Sequence, residues 1–201
     1  MDRRDVLKYT AYLTGYAVTA SLSSAILSGC TPEPTAPSYA PVFFTEEEFG
    51  GISALAEAML PKTSTPGAGE VGVPAFIDVV LGKYTEAEDQ QRIRTGLNSW
   101  LSGVATAAGK AYTELAAEEQ NRLLNELDSS SKLAAEELAE QQLSPEEARS
   151  KAPWWLDMKS LMIGGYFSSE KVGTEVLAYD PVPGSYQGCI PLADVGSSWS
   201  L

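Results

Sequence analysis

Apolar residues recur at helical spacing through most of this chain of 201 residues. The first stripe of apolar residues follows Thr45 and Glu48, whose spacing predicts a capping box at a helix N-terminus. It ends at Pro61, which cannot continue a helix. Its apolar members are Phe49, Ile52, Leu55, Ala56, Met59 and Leu60. Residues 62–73 are rich in Gly, Pro, Thr and Ser, so we expect a loop after this first helix.

Two more helices are predicted from the residues that follow this loop. Pro74 suits the first turn of a short second helix, whose apolar face contains Phe76, Ile77, Val80 and Leu81. Thr85 and Glu88 repeat the capping-box spacing and predict the start of a long third helix. The apolar side of the third helix includes Ile93, Leu97, Trp100, Leu101 and Val104.

Helical patterns continue through the second half of the chain. Separate helices are expected over residues 117–127 and 132–140, and Ser144 followed by Pro145 predicts a further helix start. Residues 154–166 are too apolar for a helix with one face in water. We therefore expect that helix to be buried in the core or covered by a partner.

The pattern predicts an all-α fold. No segment shows the convincing alternation of a β-strand, and periodicity is lost after Gly173. We expect a compact multi-helix single domain over residues 44–201 that ends in an irregular tail. Without residues 1–29 the chain retains 172 residues, which is enough for one domain with a real core.

The N-terminal residues follow a different pattern. Arg3 and Arg4 precede an uncharged, weakly apolar run over residues 9–27, with Leu7 and Lys8 at the offsets expected for a twin-arginine leader. The sequence therefore predicts an export signal that the twin-arginine translocase reads. A protein on this route crosses the membrane already folded.

The end of this leader resembles a lipobox, the cleavage site of bacterial lipoproteins. It reads Leu-Ser-Gly-Cys and ends at Cys30, which would become the acylated first residue after removal of residues 1–29. Residues 30–43 are rich in proline and predict a lipid-anchored, extended linker. The expected location is the periplasmic side of a bacterial membrane. A retained transmembrane helix is the alternative, because the uncharged run approaches the roughly 20 residues that span a bilayer.

The charge balance excludes nucleic acid as a partner. The predicted leader holds three of the 14 basic and two of the 27 acidic residues, which leaves 11 basic and 25 acidic residues. Such an excess of negative charge repels nucleic acid and anionic lipid headgroups.

The sequence offers little catalytic chemistry. It contains no histidine, which removes the commonest general base and metal ligand, and only two cysteines. Neither a phosphate loop nor a dinucleotide-binding glycine motif is present. The acidic runs at 46–48, 118–119 and 146–147 are interpreted as helix starts and solvated faces, and Asp78, Asp157 and Asp180 as more isolated acids. We therefore predict no catalytic, cofactor-binding or metal-binding residue in this chain.

Four aromatic residues and one cysteine allow more than one interpretation. Trp154, Trp155, Tyr166 and Phe167 fit a helix core first, a protein interface second and a sugar or flavin cage third. With Cys30 acylated, Cys189 has no partner in its own chain. It is either a quiet, buried thiol, which we favour, or half of an intermolecular disulfide.

Three blocks of the body point to a known family. They read ISALAEAMLP with TPGA at 52–61 and 65–68, GVPAFID at 72–78, and GYFSSE at 165–170 followed by YDPVPG and GCIP at 179–184 and 188–191. Together they resemble the small subunit of membrane-bound gluconate 2-dehydrogenase, the subunit 3 family. The similarity spans about residues 44–192. The lipobox departs from the usual pattern, and residues 132–148 read as an insertion.

This resemblance implies an accessory role beside a large FAD-containing flavoprotein of the glucose-methanol-choline type. A multihaem cytochrome c usually completes such complexes, so FAD and haem c are expected in partners. The small chain would export the folded large subunit and anchor the pair through Cys30. The expected partner interface consists of Trp154, Trp155, Tyr166, Phe167, Tyr179, Asp180, Pro181, Pro183 and Cys189.

Two other functions compete with this one. The first is a free-standing envelope lipoprotein with a structural or binding role and no flavoprotein partner. The second is a redox enzyme with its own cofactor, which the empty motif search disfavours.

Overall fold

The computed structural model describes residues 39–178, 184, 189–196 and 198. The predicted leader, Cys30 and four predicted interface residues, Tyr179, Asp180, Pro181 and Pro183, lie outside the described residues. The helices are α1 Glu46–Met59, α2 Val73–Tyr84, α3 Ala87–Ala108, α4 Ala117–Glu140, α5 Pro145–Lys151, α6 Trp154–Phe167, α7 Glu170–Glu175 and α8 Leu192–Val195, with a 3-10 turn at Tyr112–Glu114. No β-strand occurs among these residues, so the prediction of an all-α fold is confirmed.

The start of α1 is the capping box that the sequence predicts. The Thr45 hydroxyl accepts the Glu48 amide at 3.2 Å, and the Glu48 carboxylate accepts the Thr45 amide at 2.8 Å. The connection from α1 to α2 ends at Gly72, whose φ of 75° lies in the left-handed region that favours glycine. Pro74 then occupies the first turn of α2, as expected.

The predicted capping box at the start of α3 is wrong. Helix α3 begins at Ala87 with Glu86 as its N-cap, and no side chain caps it. Thr85 instead belongs to the end of α2, where its hydroxyl donates to the carbonyl of Val80 at 3.2 Å. The Gln90 side chain also reaches back and donates to the Leu81 and Thr85 carbonyls. Thr85 thus caps the C-terminal end of α2, because the last carbonyls of α2 need hydrogen-bond donors.

The prediction of two helices over 117–127 and 132–140 is also wrong, since α4 runs without a break from Ala117 to Glu140. The three serines at 129–131, between the two predicted helices, are accommodated in α4. Ser130 donates to the Leu127 carbonyl at 3.0 Å, and Ser131 is buried. Packing against the rest of the body therefore overrides the low helix propensity of these serines.

Helix α6 lies at the centre of the body and packs against α2, α3 and α4. Its side chains Trp155, Met158 and Met162 are almost completely buried. Glycines allow two close approaches: the Trp154 ring covers Gly96 of α3, and the Phe76 ring covers Gly165 of α6. The prediction that this apolar helix is buried holds for one side only, because Asp157, Ser160, Ile163 and Phe167 are exposed.

In the part of the chain that the structure describes, none of the helices combines the length and the apolar character needed to cross a bilayer.

Candidate functional site

The four aromatic residues of the predicted interface separate into core and surface. Trp155 is 1% exposed and Tyr166 is 6% exposed, so both belong to the core of this chain and do not present a surface to a partner. Trp154 is half-buried against Gly96. Phe167 is 50% exposed and remains available for contact.

Cys189 is exposed. The expectation that the Cys189 thiol is buried is therefore wrong. An intermolecular disulfide through Cys189 stays a prediction.

The described parts of the three family-like blocks, residues 52–68, 72–78 and 165–170, contact one another. The Tyr166 hydroxyl donates to the carbonyl of Pro66 at 2.8 Å across 100 residues of sequence. The Phe76 ring lies against Gly165, where a Cβ atom would be only 2.6 Å from the ring. Lys171 follows the third block, and its ammonium group lies 3.8 Å from Glu70. Distant parts of the sequence thus form one surface.

The loop at 62–72 has a fixed internal geometry. The Glu57 carboxylate accepts the amides of Lys62 and Gly69 at 3.4 and 3.1 Å. A Cβ atom at Gly67 would lie 2.7 Å from this carboxylate and 2.9 Å from the Lys62 nitrogen, so only glycine fits there. Ala68 is fully buried and donates its amide to the Leu60 carbonyl at 2.9 Å. The loop is therefore built to keep one shape.

Exposed apolar side chains accompany this loop. Phe76 is 40% exposed and Ile163 is 39% exposed, and Ile163 lies one helical turn before Phe167 on the same side of α6. Residues 160–169 contain no charged side chain, although the chain as a whole carries a net charge of −13. We call the loop at 62–72 together with Ile163 and Phe167 the docking face. Phe76 is not part of it, since Phe76 contacts Gly165 on the opposite side of α6. The α6 part of the docking face has no charge and exposes an aromatic ring, as the core of a protein interface does, whereas its loop contributes Lys62 and Glu70.

A second feature fixes the chain just before α1. Asp78 of α2 is fully buried and accepts the amides of Val42, Phe43 and Phe44 at 2.7, 3.0 and 2.8 Å. The next amide, that of Thr45, is taken by Glu48. We call residues 42–45 the strap. Four successive amides of the strap therefore bind carboxylates of the helical body.

Arg94 of α3 completes this arrangement. Its guanidinium contacts the Phe43 carbonyl and the Glu48 carboxylate, and it lies 4.4 Å from the centre of the Phe43 ring. Burial alone would raise the pKa of Glu48, but the Thr45 amide, Asn98 and Arg94 outweigh it and hold that pKa below its ordinary value. Glu48 is thus an ionised structural residue. The expectation that it faces solvent is wrong.

A network of charges joins α3, α5 and α6. Asp89 accepts Arg92 at 3.0 Å and Arg149 at 2.5 Å, while Arg92 also contacts Asp157 at 2.5 Å and the Ala152 carbonyl at 2.8 Å. Burial raises the pKa of Asp89, and the two guanidinium groups outweigh this effect and lower it. No short motif predicted this network, because its bonded pairs lie up to 65 residues apart.

Asp128 of α4 forms a similar junction with α6. It binds Lys132 at 2.8 Å and Lys159 at 2.6 Å, and it accepts the indole N–H of Trp155 at 3.1 Å. These hydrogen bonds, first those from the two lysines, hold the pKa of Asp128 far below its usual value.

We predict that this junction makes stability sensitive to acid. Because the folded-state pKa of Asp128 is depressed, its stabilisation is complete above the unfolded value of 3.8 and disappears as the pH falls toward the lower folded value. The urea midpoint of an Asp128→Asn variant should lie below that of the wild type near neutral pH, and the gap should narrow below about pH 3. A gap that stays constant down to pH 2 would contradict this assignment.

A groove of about 430 Å³ lies between α1, α3 and the 3-10 turn. Two of its lining residues are buried and ionisable. The Glu48 carboxylate is occupied by Arg94 and Asn98, and burial raises the pKa of Tyr112 to about 12. Tyr112 also donates its hydroxyl to the Gln120 carbonyl at 3.2 Å. Neither group is poised to exchange a proton with a substrate near neutral pH.

Within the described residues, no three or more Asp, Glu, Cys or His side chains come together in a way that could hold a metal ion. The carboxylates described above are occupied by amides, guanidinium groups and lysines. Their arrangement joins helices and does not form a reaction centre.

Comparison with known proteins gives one match. A family model described as Gluconate 2-dehydrogenase subunit 3 matches residues 46–184. This stretch covers most of the chain and includes α1 to α7. No curated protein and no solved structure matches the chain.

Proposed function

The chain belongs to the gluconate 2-dehydrogenase subunit 3 family, whose members are subunits of gluconate 2-dehydrogenase complexes, and we propose its role in more detail from this membership. It is a non-catalytic accessory subunit that exports, stabilises and anchors a large FAD-containing dehydrogenase subunit of the glucose-methanol-choline type. A cytochrome c subunit passes the electrons onward. The complex resides on the periplasmic side of a bacterial membrane.

The docking face is the observation that best supports this role. It lies where the described parts of the family-like blocks contact one another, and its loop is held in a single shape by Glu57 and Tyr166. A rigid surface with exposed aromatic groups loses little conformational entropy when it binds. Such a surface suits a stable subunit contact, which depends on a few aromatic anchors.

The buried charges agree with a role without catalysis. Asp78, Glu48 and Asp89 each accept several donors from their own chain. An acid or base in an active site must be free to reach the substrate, with a pKa near the working pH. The pKa values of Glu48 and Asp89 are instead displaced downward, so both groups stay ionised as parts of the framework.

The export role is tested by the double variant Arg3→Lys, Arg4→Lys, expressed together with the large subunit. We expect both proteins to remain in the cytoplasm, because the paired arginines form the address that the translocase reads. Cell fractionation with an immunoblot for each subunit measures this. A Cys30→Ser variant is the control, since it should still be exported but should leave the membrane fraction. Normal export of the flavoprotein beside the arginine variant would refute the carrier role.

The docking face is tested by Phe167→Ser. Removal of an exposed aromatic anchor should weaken binding of the large subunit by about 2 kcal/mol or more, roughly a thirtyfold loss of affinity. Co-purification of the yellow flavoprotein from solubilised membranes measures the effect.

Tyr84→Ser provides the matched control for this variant. Tyr84 is 78% exposed and lies at the other end of α2 from Phe76. Equal losses in both variants would mean that aromatic exposure in general, and not the docking face, decides binding. A wild-type chain that purifies alone and colourless would favour the free-standing envelope lipoprotein.

A further inference from the structure

The strap is the junction between the N-terminal segment and the helical body. Its amides are held by Asp78 and Glu48, and Arg94 stacks on the Phe43 ring. The side chain of Phe44 is buried in the core. Residues 42–44 of the strap lie outside the helices, so they depend on these contacts for their shape.

The partners of the strap are distant in sequence. Asp78 lies 34 residues beyond Phe44, and Arg94 lies 51 residues beyond Phe43. The Phe43 Cβ atom also rests against Gly82 of α2. The contact between Thr45 and Glu48 is local. The strap can therefore dock only after α2 and α3 have taken their places beside α1.

We propose that the strap acts as a folding check on export. The predicted leader and most of the predicted linker come before the strap in the chain. The strap is therefore the first part of the folded body that follows them, and its docking distinguishes a folded body from an unfolded one. Undocked, residues 42–44 present a valine and two phenylalanines with their amides free, as in an unfolded protein. Docked, Phe44 is buried and Phe43 is half-buried against the assembled body, whereas Val42 stays exposed. This inference rests on the proposed export role and adds a mechanism by which only folded chains leave the cytoplasm.

The test displaces the strap from outside without removing a buried charge. A Cβ atom at Gly82 would lie 3.0 Å from the Phe43 Cβ, so the larger side chain of Gly82→Leu must push the strap away. Gly103 of α3 has open space around it, and Gly103→Leu is the matched control. Both changes replace a helical glycine by a better helix former, so the helices themselves should gain.

Two measurements are made on the full chain. Amide hydrogen exchange at residues 42–44 should accelerate by about tenfold or more in Gly82→Leu and stay unchanged in Gly103→Leu. The exported fraction should fall in Gly82→Leu alone. If the leucine variant does not fold, Gly82→Ala replaces it, and both effects should appear in the same direction with smaller size.

Several results would overturn the proposal. Fast exchange of these amides in the wild type would mean that the strap is not docked. Unchanged exchange in both Gly82 variants would mean that the strap withstands displacement, and unchanged export beside accelerated exchange would mean that export does not depend on the strap. Failure of the export role itself is distinguishable, because the Arg3→Lys, Arg4→Lys double variant would then be exported normally.

Discussion

Replacement of Trp155 by alanine should lower the free energy of unfolding by about 4 kcal/mol. The indole is 1% exposed and lies in the central helix α6, among the buried side chains of Met158 and Met162. Its removal leaves a cavity that three packed helices cannot easily fill. It also deprives Asp128 of the indole donor at 3.1 Å. Urea denaturation followed by far-UV circular dichroism measures the loss.

The variant Trp155→Phe separates packing from hydrogen bonding. Phenylalanine keeps most of the ring but lacks the N–H group, so we expect a smaller loss of about 1–2 kcal/mol. Equal losses in the two variants would show that the hydrogen bond to Asp128, and not the volume of the ring, is what stabilises this part of the core.

Helix starts show where local sequence suffices and where it does not. The pairs Thr45 with Glu48 and Ser144 with Glu147 form complete capping boxes. Thr85 and Glu88 have the same spacing, yet they form none. The difference lies in what precedes them, because α2 ends directly before Thr85 and its carbonyls compete for the same side chain. Spacing within four residues cannot reveal that competition.

The stretch that reads as an insertion is also the least buried part of the helical body. Residues 132–140 of α4 and the whole of α5 contain no buried residue. Arg149 ties α5 to Asp89 of α3. A departure from the family pattern is expected in such a stretch, because few core contacts constrain it and exposed positions tolerate substitution.

The strap and its buried carboxylates depend on contacts that the spacing of apolar residues does not reveal. Counting apolar positions found the faces of α1 and α2 but treated Glu48 and Asp78 as solvated or isolated. Asp78 lies between Ile77 and Leu81 on the buried side of α2, and this position was the available signal. A carboxylate there must find donors, because burial without them is costly. Its donors, the strap amides, precede it by more than 30 residues and could not be identified from spacing.

The meeting of the family-like blocks was likewise invisible in the sequence. Each block could be assigned to a helix end or a loop, but their mutual position depends on Tyr166 and Pro66, which are 100 residues apart. Tyr166 was predicted as an interface residue. Its ring is buried under the docking face, and its hydroxyl donates to the Pro66 carbonyl and so holds the loop in place. A residue can thus matter for a surface without belonging to it.

Replacement of Asp78 by asparagine should cost about 3 kcal/mol of stability, because one carboxylate satisfies three strap amides. Asparagine keeps the size of the side chain but offers one acceptor oxygen. Its amide group also turns donor hydrogens toward the strap N–H groups. The urea midpoint should fall, and exchange of the amides at 42–44 should accelerate before the helices unfold.

Asp157→Asn is the matched control for this loss, since Asp157 forms an ion pair with Arg92 but is half-exposed. Arg92 keeps its contacts with Asp89 and the Ala152 carbonyl when Asp157 is changed, so this variant should lose about 1 kcal/mol or less. If the two asparagine variants lost equal stability, the strap amides would have to find water as readily as the carboxylate of Asp78. The strap would then be only weakly attached to the surface of the body, and its docking would not depend on the assembly of α2 and α3.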